Sequence, residues 1–84
     1  MKYRVLILPS AQRVLEQLPG RDYENVLETI LALGHNPRPP GCKKLEAREG
    51  WRVRQGDYRV IYEIDDPEKS VTVLRVRRRR EVYR

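Results

Sequence analysis

Chemistry-bearing side chains are scarce in this chain: among its 84 residues there is one cysteine, one histidine and one tryptophan, and no phenylalanine. A single thiol, Cys42, excludes an internal disulfide, and Cys42 with His35 cannot by themselves build a zinc site. Asp65 and Asp66 form the one adjacent pair of carboxylates, and Pro67 behind them marks a turn. The clustered acids of a metal-dependent reaction are therefore missing, and no metal or cofactor is expected. No apolar run approaches the roughly 18 residues of a membrane span, and the amino terminus lacks the apolar centre of a signal peptide, so a cytoplasmic protein is expected. No repeat, linker or second domain is visible, and residues 1–84 read as one domain.

Charge is abundant instead. Charged residues make up 36% of the chain against 39% apolar, and the mean hydropathy of −0.76 leaves little core to spare. A domain of this size is marginally stable alone, and a partner could contribute stability. The net charge of +6 comes mostly from arginine, and residues 75–84 hold six arginines against one glutamate. The planar guanidinium fork suits phosphate, so nucleic acid or an acidic protein is the natural partner class.

The stretch that organises the rest is WRVRQGDYRVIYE, residues 51–63. Trp51, Val53, Val60 and Tyr62 alternate with Arg52, Arg54, Arg59 and Ile61, the period-2 pattern of a sheet with one buried face. Gly56-Asp57 between the runs is a two-residue hairpin connection, since glycine accepts the positive φ such turns require. With Gln55 and Tyr58 flanking the turn, Arg54 faces Arg59, Val53 faces Val60 and Trp51 faces Tyr62. Like charges facing each other across a ladder weaken it by a few tenths of a kcal/mol to about one, so an anion is expected on that face.

The flanking segments complete an α+β pattern. Lys2 to Leu8 alternates as a strand, and Ser10 is placed to cap a helix carrying Ala11, Val14, Leu15 and Leu18 on one stripe. Pro19-Gly20 ends it. A second helix carries Tyr23, Val26, Leu27, Ile30 and Leu31, with Asp22 and Glu24 in its first turn and Gly34 as its stop. The two helices form a hairpin over one sheet face. Three prolines make Asn36–Gly41 a stiff crossing loop, and Lys43–Gly50 is expected to be irregular. After residues 58–64, the DDPEK turn leads into a last strand from Ser70 to Val76. Pairing Ile64 with Ser70 sets Tyr62 against Thr72, Val60 against Leu74 and Arg59 against Arg75, and continued alternation puts Arg77, Arg79 and Tyr83 on the arginine face. The fold expected is an N-terminal strand, a helical hairpin and a three-stranded meander (β-α-α-β-β-β) in one twisted antiparallel sheet.

Four stretches, YRVLILPSAQRVLEQLP, HNPRPPG, KKLEAREGWRVRQGDYRVIYEID and RRREVYR, resemble the RelE/ParE toxin superfamily of toxin–antitoxin systems over nearly the whole chain. The resemblance implies a sheet packed on an N-terminal helical hairpin, as the periodicity does. It further implies a RelE-like toxin, an endoribonuclease that cleaves mRNA in the ribosomal A site, stops translation, and is neutralised by a small acidic antitoxin.

On that resemblance Arg59, Arg79 and Tyr83 are the catalytic candidates and Arg52 and Arg54 phosphate-binding ones. Lys43, Lys44, Arg77 and Arg78 add attraction to RNA or antitoxin. Metal-free cleavage uses the ribose 2′-hydroxyl as nucleophile on the adjacent phosphorus and needs a base, an acid and positive charge on the phosphorane oxygens. Arginine supplies charge but is a poor base, leaving Tyr83 as the base, its phenol acidified by neighbouring arginines. Better-studied RelE-like toxins carry lysine at the positions of Arg52 and Arg54. With His35 the single histidine, efficient ribosome-independent cleavage is not expected. Two alternatives share the fold: a ParE-like gyrase inhibitor that cuts nothing, and an inactive member that binds its antitoxin in a regulatory complex.

Overall fold

A computed structural model of the chain describes residues 2–78, so Arg79 and Tyr83 lie outside the described residues. The elements are β1 (Arg4–Ile7), α1 (Pro9–Glu16), α2 (Gly20–Ala32), β2 (Lys43–Lys44), β3 (Trp51–Gln55), β4 (Tyr58–Asp65) and β5 (Ser70–Arg78). One five-stranded sheet runs in the order β1-β5-β4-β3-β2. No helix among the described residues is long and apolar enough to cross a membrane.

The expected element order holds, with two differences. Lys43 and Lys44 form a short edge strand, β2, antiparallel to β3, where an irregular segment was expected. The sheet is mixed, since β1 lies parallel to β5, with Arg4 opposite Ser70 and Ile7 opposite Val73. Short hairpin connections force β2 to β5 to alternate in direction, whereas β1 is tethered through two helices and can take the parallel edge.

Helix boundaries follow proline rather than serine. Pro9 occupies the first turn of α1 and Leu8 the cap position, so Ser10 lies inside the helix and does not cap it; proline's fixed φ suits the first turn and starts the helix earlier. Gly34 lies just beyond α2, and its carbonyl accepts a hydrogen bond from the Tyr3 amide at 2.8 Å, tying the helix end to the start of β1. The helical stripes are narrower than expected: Ala11, Leu15, Val26 and Ile30 are buried, while Val14 and Leu31 are exposed.

The helices cover the face carrying Val53, Val60, Tyr62, Val71, Val73 and Val76, and Leu33 completes the cluster. The β3–β4 register is as expected, with Arg54 opposite Arg59 and Trp51 opposite Tyr62. Gly56 takes φ 59°, while Asp57 stays out of the left-handed region, as in a turn with glycine at its first central position.

The β4–β5 register differs from the expected one. Asp65, not Ile64, pairs with Ser70, and Arg59 pairs with Arg77, not Arg75. The Asp65 carboxylate accepts from the Glu68 amide at 3.1 Å, and Lys69 takes φ 51°, closing the connection over residues 66–69. That one-residue slip turns Val71 and Val73 to the core. A bulge then leaves Leu74 as the extra residue between Val73, opposite Tyr62, and Arg75, opposite Ile61. It restores Val76 to the core and sends Arg75 and Arg77 to the open face.

The proline-rich loop is held by contacts to Tyr62, Trp51 and Asp66. The Tyr62 hydroxyl donates to the Pro37 carbonyl at 2.7 Å from a fully buried ring. Arg38 lies 5.3 Å over the Trp51 ring and forks the Asp66 carboxylate, its two nitrogens at 2.9 and 3.3 Å. The Tyr3 hydroxyl donates to the same carboxylate at 2.6 Å. Hydrogen bonds from Arg38 and Tyr3 hold the Asp66 carboxyl below its ordinary range, and the bond to Asp66 raises the Tyr3 phenol.

Two outcomes are expected. Tyr62→Phe orphans the buried Pro37 carbonyl and should cost about 1–3 kcal/mol in urea unfolding. Asp66 is more acidic folded than unfolded, so its contribution is present above the unfolded carboxylate pKa and is lost as pH falls through the lower folded value. Acid titration of the wild type should therefore show a loss of stability in that window, and Asp66→Asn should start less stable at neutral pH and flatten this limb.

Candidate nucleic-acid interface

Strand alternation sends Arg52 and Arg54 of β3, Arg59 and Ile61 of β4, and Arg75 and Arg77 of β5 to the face not covered by helices. Cross-strand pairing lines them up in two rows. One row reads Lys43, Arg52, Ile61, Arg75, and the next reads Arg54, Arg59, Arg77. Within a row neighbours sit about 4.8 Å apart along the hydrogen bonds, and the rows are two residues, about 6.7 Å, apart along the strands. The Lys43–Arg52, Arg54–Arg59 and Arg59–Arg77 pairs are like charges directly opposite one another, an arrangement that opposes folding.

Among the described residues the ion pair is Arg38–Asp66, away from this face, and Lys43, Arg52, Arg54, Arg75 and Arg77 have no carboxylate partner there. Concavities open on this side among the described residues. A smaller one of about 240 Å³ lies over Gly41, Lys43, Arg52, Arg54 and Arg59. A larger one of about 890 Å³ runs over Lys43, Arg52, Arg59, Ile61, Arg75 and Arg77 and is walled by residues 44–48. Both lie where a chain of phosphates would be attracted and focused.

The wall is built by the hairpin between β2 and β3. The Leu45 amide donates to the Gly50 carbonyl at 3.0 Å. Gly50 takes φ 128°, and a Cβ there would come within 3.2 Å of both the Tyr62 carbonyl and the Leu45 side chain, so glycine alone fits. Residues 46–49 project beyond this closure with all their side chains exposed. Behind them, the Tyr62–Pro37 and Arg38–Asp66 contacts fix the loop that delivers Gly41 and Lys43 to the groove.

The residues singled out from sequence fall into three groups. Arg52, Arg54, Arg59, Arg77 and Lys43 are brought together on the open face, with Lys44 on the rim of the larger concavity. Arg78 is not among them: its guanidinium lies 5.9 Å over the Tyr58 ring on the helix-covered side, where the Tyr58 hydroxyl donates to Asp22 at 3.0 Å. Arg79 and Tyr83 lie outside the described residues. Sequence reasoning missed Arg75, Arg48 and Glu46 as groove residues. Arg75 was expected on the arginine face opposite Arg59 without being singled out as a site residue, and the Leu74 bulge moves it opposite Ile61, whereas Arg48 and Glu46 enter through the glycine-closed hairpin. Gly50 directly before the alternating run was the available signal.

The described part of the chain thus presents a sheet with an apolar, helix-covered face and a concave arginine face. A family described as ParE toxin of type II toxin-antitoxin system, parDE, matches residues 5–83. The chain is 35% identical to Toxin RelG of Mycobacterium tuberculosis, covering 100% of this chain and 99% of that protein. It is 36% identical to Toxin RelE of the same organism, covering 98% of this chain and 87% of the relative. The solved archaeal RelE–RelB complex from Pyrococcus horikoshii contains a chain that superposes with a TM-score of 0.84 at 34% identity, covering 94% of this chain and 97% of that one. Fold, family match and full-length relatives agree: the chain belongs to the RelE/ParE superfamily of toxins of type II toxin–antitoxin systems.

Proposed function

We propose that this single-domain toxin is a RelE-type mRNA interferase that cleaves translated mRNA in the ribosomal A site without a metal. The observation that carries the reading is the pair of cation rows on the open face, Lys43–Arg52–Arg75 and Arg54–Arg59–Arg77. Their spacing of about 6.7 Å is comparable to that of successive phosphates in an extended ribonucleotide strand. Arg54 and Arg59 clamp the scissile phosphate with charge-assisted, bidentate hydrogen bonds. Arg52, Lys43 and Arg75 hold the neighbouring one, and Lys44 and Arg77 add long-range attraction.

In this reading the 2′-hydroxyl attacks the adjacent phosphorus, the P–O5′ bond breaks, and the products are a 2′,3′-cyclic phosphate and a free 5′-hydroxyl. Tyr83 takes the proton from the nucleophile. The departing 5′-oxygen takes its proton from solvent water, while Arg79 stabilises the phosphorane and that leaving oxygen, with Arg59 sharing the equatorial charge. Arginine at positions 52 and 54 confines both to electrostatic roles, because neither can release a proton. Arg78, stacked on Tyr58, serves the fold and the approach of RNA rather than the phosphate site.

The partner in the cell is a small acidic antitoxin, by analogy with relatives solved as toxin–antitoxin complexes. It would cover the arginine face and relieve its self-repulsion. The family match described under ParE supports one competing reading, binding and poisoning of gyrase.

Induced expression followed by primer extension on a translated mRNA separates the two. Wild type should produce cuts within ribosome-covered codons. Arg59→Ala, Arg79→Ala and Tyr83→Phe should each reduce them by at least about 10²-fold, the usual loss when a transition-state contact is removed. Growth arrest with intact mRNA and induced DNA damage would contradict mRNA cleavage and select gyrase.

A further inference from the structure

The larger groove on the open face contains one residue whose charge is wrong for an RNA channel. Among the described residues, seven cationic side chains line it, together with a single carboxylate, that of Glu46. Glu46 is exposed and makes no ion pair or side-chain hydrogen bond with any described residue, despite the cations around it. A carboxylate on the wall of a phosphate channel repels the backbone that the channel attracts. Its cost is offset if it accepts hydrogen bonds from a part of the ligand that offers donors.

The groove supplies a second, independent feature at the same place. Ile61 is the one apolar side chain in the row Lys43, Arg52, Ile61, Arg75 on the floor. Leu45 and Ala47 lie on the wall that carries Glu46. Ile61 and Leu45 are both half-buried, leaving apolar surface open to the groove. An apolar floor patch against an apolar wall, inside a ring of guanidinium groups, suits the flat face of a nucleobase whose phosphates lie on the neighbouring arginines.

We infer that Leu45, Ile61 and Glu46 form a nucleobase subsite beside the phosphate rows, in which Glu46 reads the Watson–Crick edge of an unpaired base. A carboxylate only accepts hydrogen bonds, so the subsite selects bases that present an amino donor. Guanine, with adjacent ring N–H and amino donors, pairs with both carboxylate oxygens. Adenine and cytosine offer the amino group alone. Uracil has no amino group and flanks its one N3–H donor with two carbonyl oxygens that the carboxylate repels, so it is disfavoured. The inference rests on the reading of the open face as an RNA site and assigns to it a base preference and the residues that impose it.

The test maps the 5′ ends of cleaved mRNA across the transcriptome after expression of wild type, Glu46→Gln and Ile61→Ser. Wild-type cuts should show, at one fixed position from the break, guanine enriched and uracil depleted by about tenfold relative to mRNA composition. Glu46→Gln, which keeps size and gains a donor, should reduce that discrimination at least threefold, and Ile61→Ser should weaken it at the same position. A parallel measurement uses the full-length Arg79→Ala protein and fluorescence anisotropy with labelled UUGUU and UUUUU ribo-oligomers. Tighter binding of the guanine oligomer, lost in the Arg79→Ala/Glu46→Gln double variant, supports the subsite without requiring cleavage. Abundant wild-type cuts with a flat base distribution, or a distribution unchanged by Glu46→Gln, overturn the subsite and leave the interferase reading standing. The subsite is equally overturned if Glu46→Gln tightens antitoxin binding while the base profile stays fixed. Absence of cuts in the wild type overturns the interferase reading, and equal oligomer affinities then overturn the subsite as well.

Discussion

Everything on the open side of this molecule depends on like charges being held opposite one another. Arg54, Arg59 and Arg77 stand in one cross-strand row, and Lys43 and Arg52 begin the next. Such pairs oppose the ladder that brings them together. What holds them is the opposite face of the same strands, where Val53, Val60, Tyr62, Val73 and Val76 are buried under Leu15, Val26, Ile30 and Leu33. Each buried aliphatic side chain contributes about 1.5–3 kcal/mol, against a few tenths to about one for each repulsive pair. The core therefore prevails, and the arginine face is kept in a conformation that an anion can relieve.

The groove also needs a wall, and the wall is positioned by contacts remote from the charge rows. Tyr62 reaches from the core to the Pro37 carbonyl, and Arg38 bridges Asp66 and Trp51. These contacts fix a loop that three prolines already stiffen, and the loop hands the chain to β2. β2 has only two residues, too few to hold its place without such support. Its pairing with β3 sets Lys43 beside Arg52, and the Gly50 closure then turns residues 45–48 over the groove. The toxin family to which the chain belongs thus appears here with a cationic floor and a mixed apolar and acidic wall.

Much of this could be read in the sequence where a period was uninterrupted. The alternation of Trp51 to Tyr62 around Gly56-Asp57 specified the hairpin register and the Arg54–Arg59 pairing, because any one-residue slip would have buried arginine. The last strand was misread for a local reason. Val71, Val73 and Val76 do not share one parity, and only a bulge at Leu74 brings all three to the core. A bulge leaves no signal in a period-2 pattern beyond the break itself. β2 was invisible because two lysines on an edge carry no hydrophobic period. Arg78 was grouped with its neighbours by charge, although adjacent residues in a strand face opposite ways.

The fold carries its arginine ladder at a cost to stability that an anion on the open face would relieve. Urea unfolding of wild type and Arg54→Gln at low and high salt tests it most directly. At low ionic strength Arg54→Gln should be more stable than wild type by a few tenths to about 1 kcal/mol, and the difference should vanish near molar salt, where the screening length falls to about 3 Å. A variant less stable than wild type at every salt concentration would contradict the account, because Arg54 would then be a contributor to the fold rather than a charge held against it.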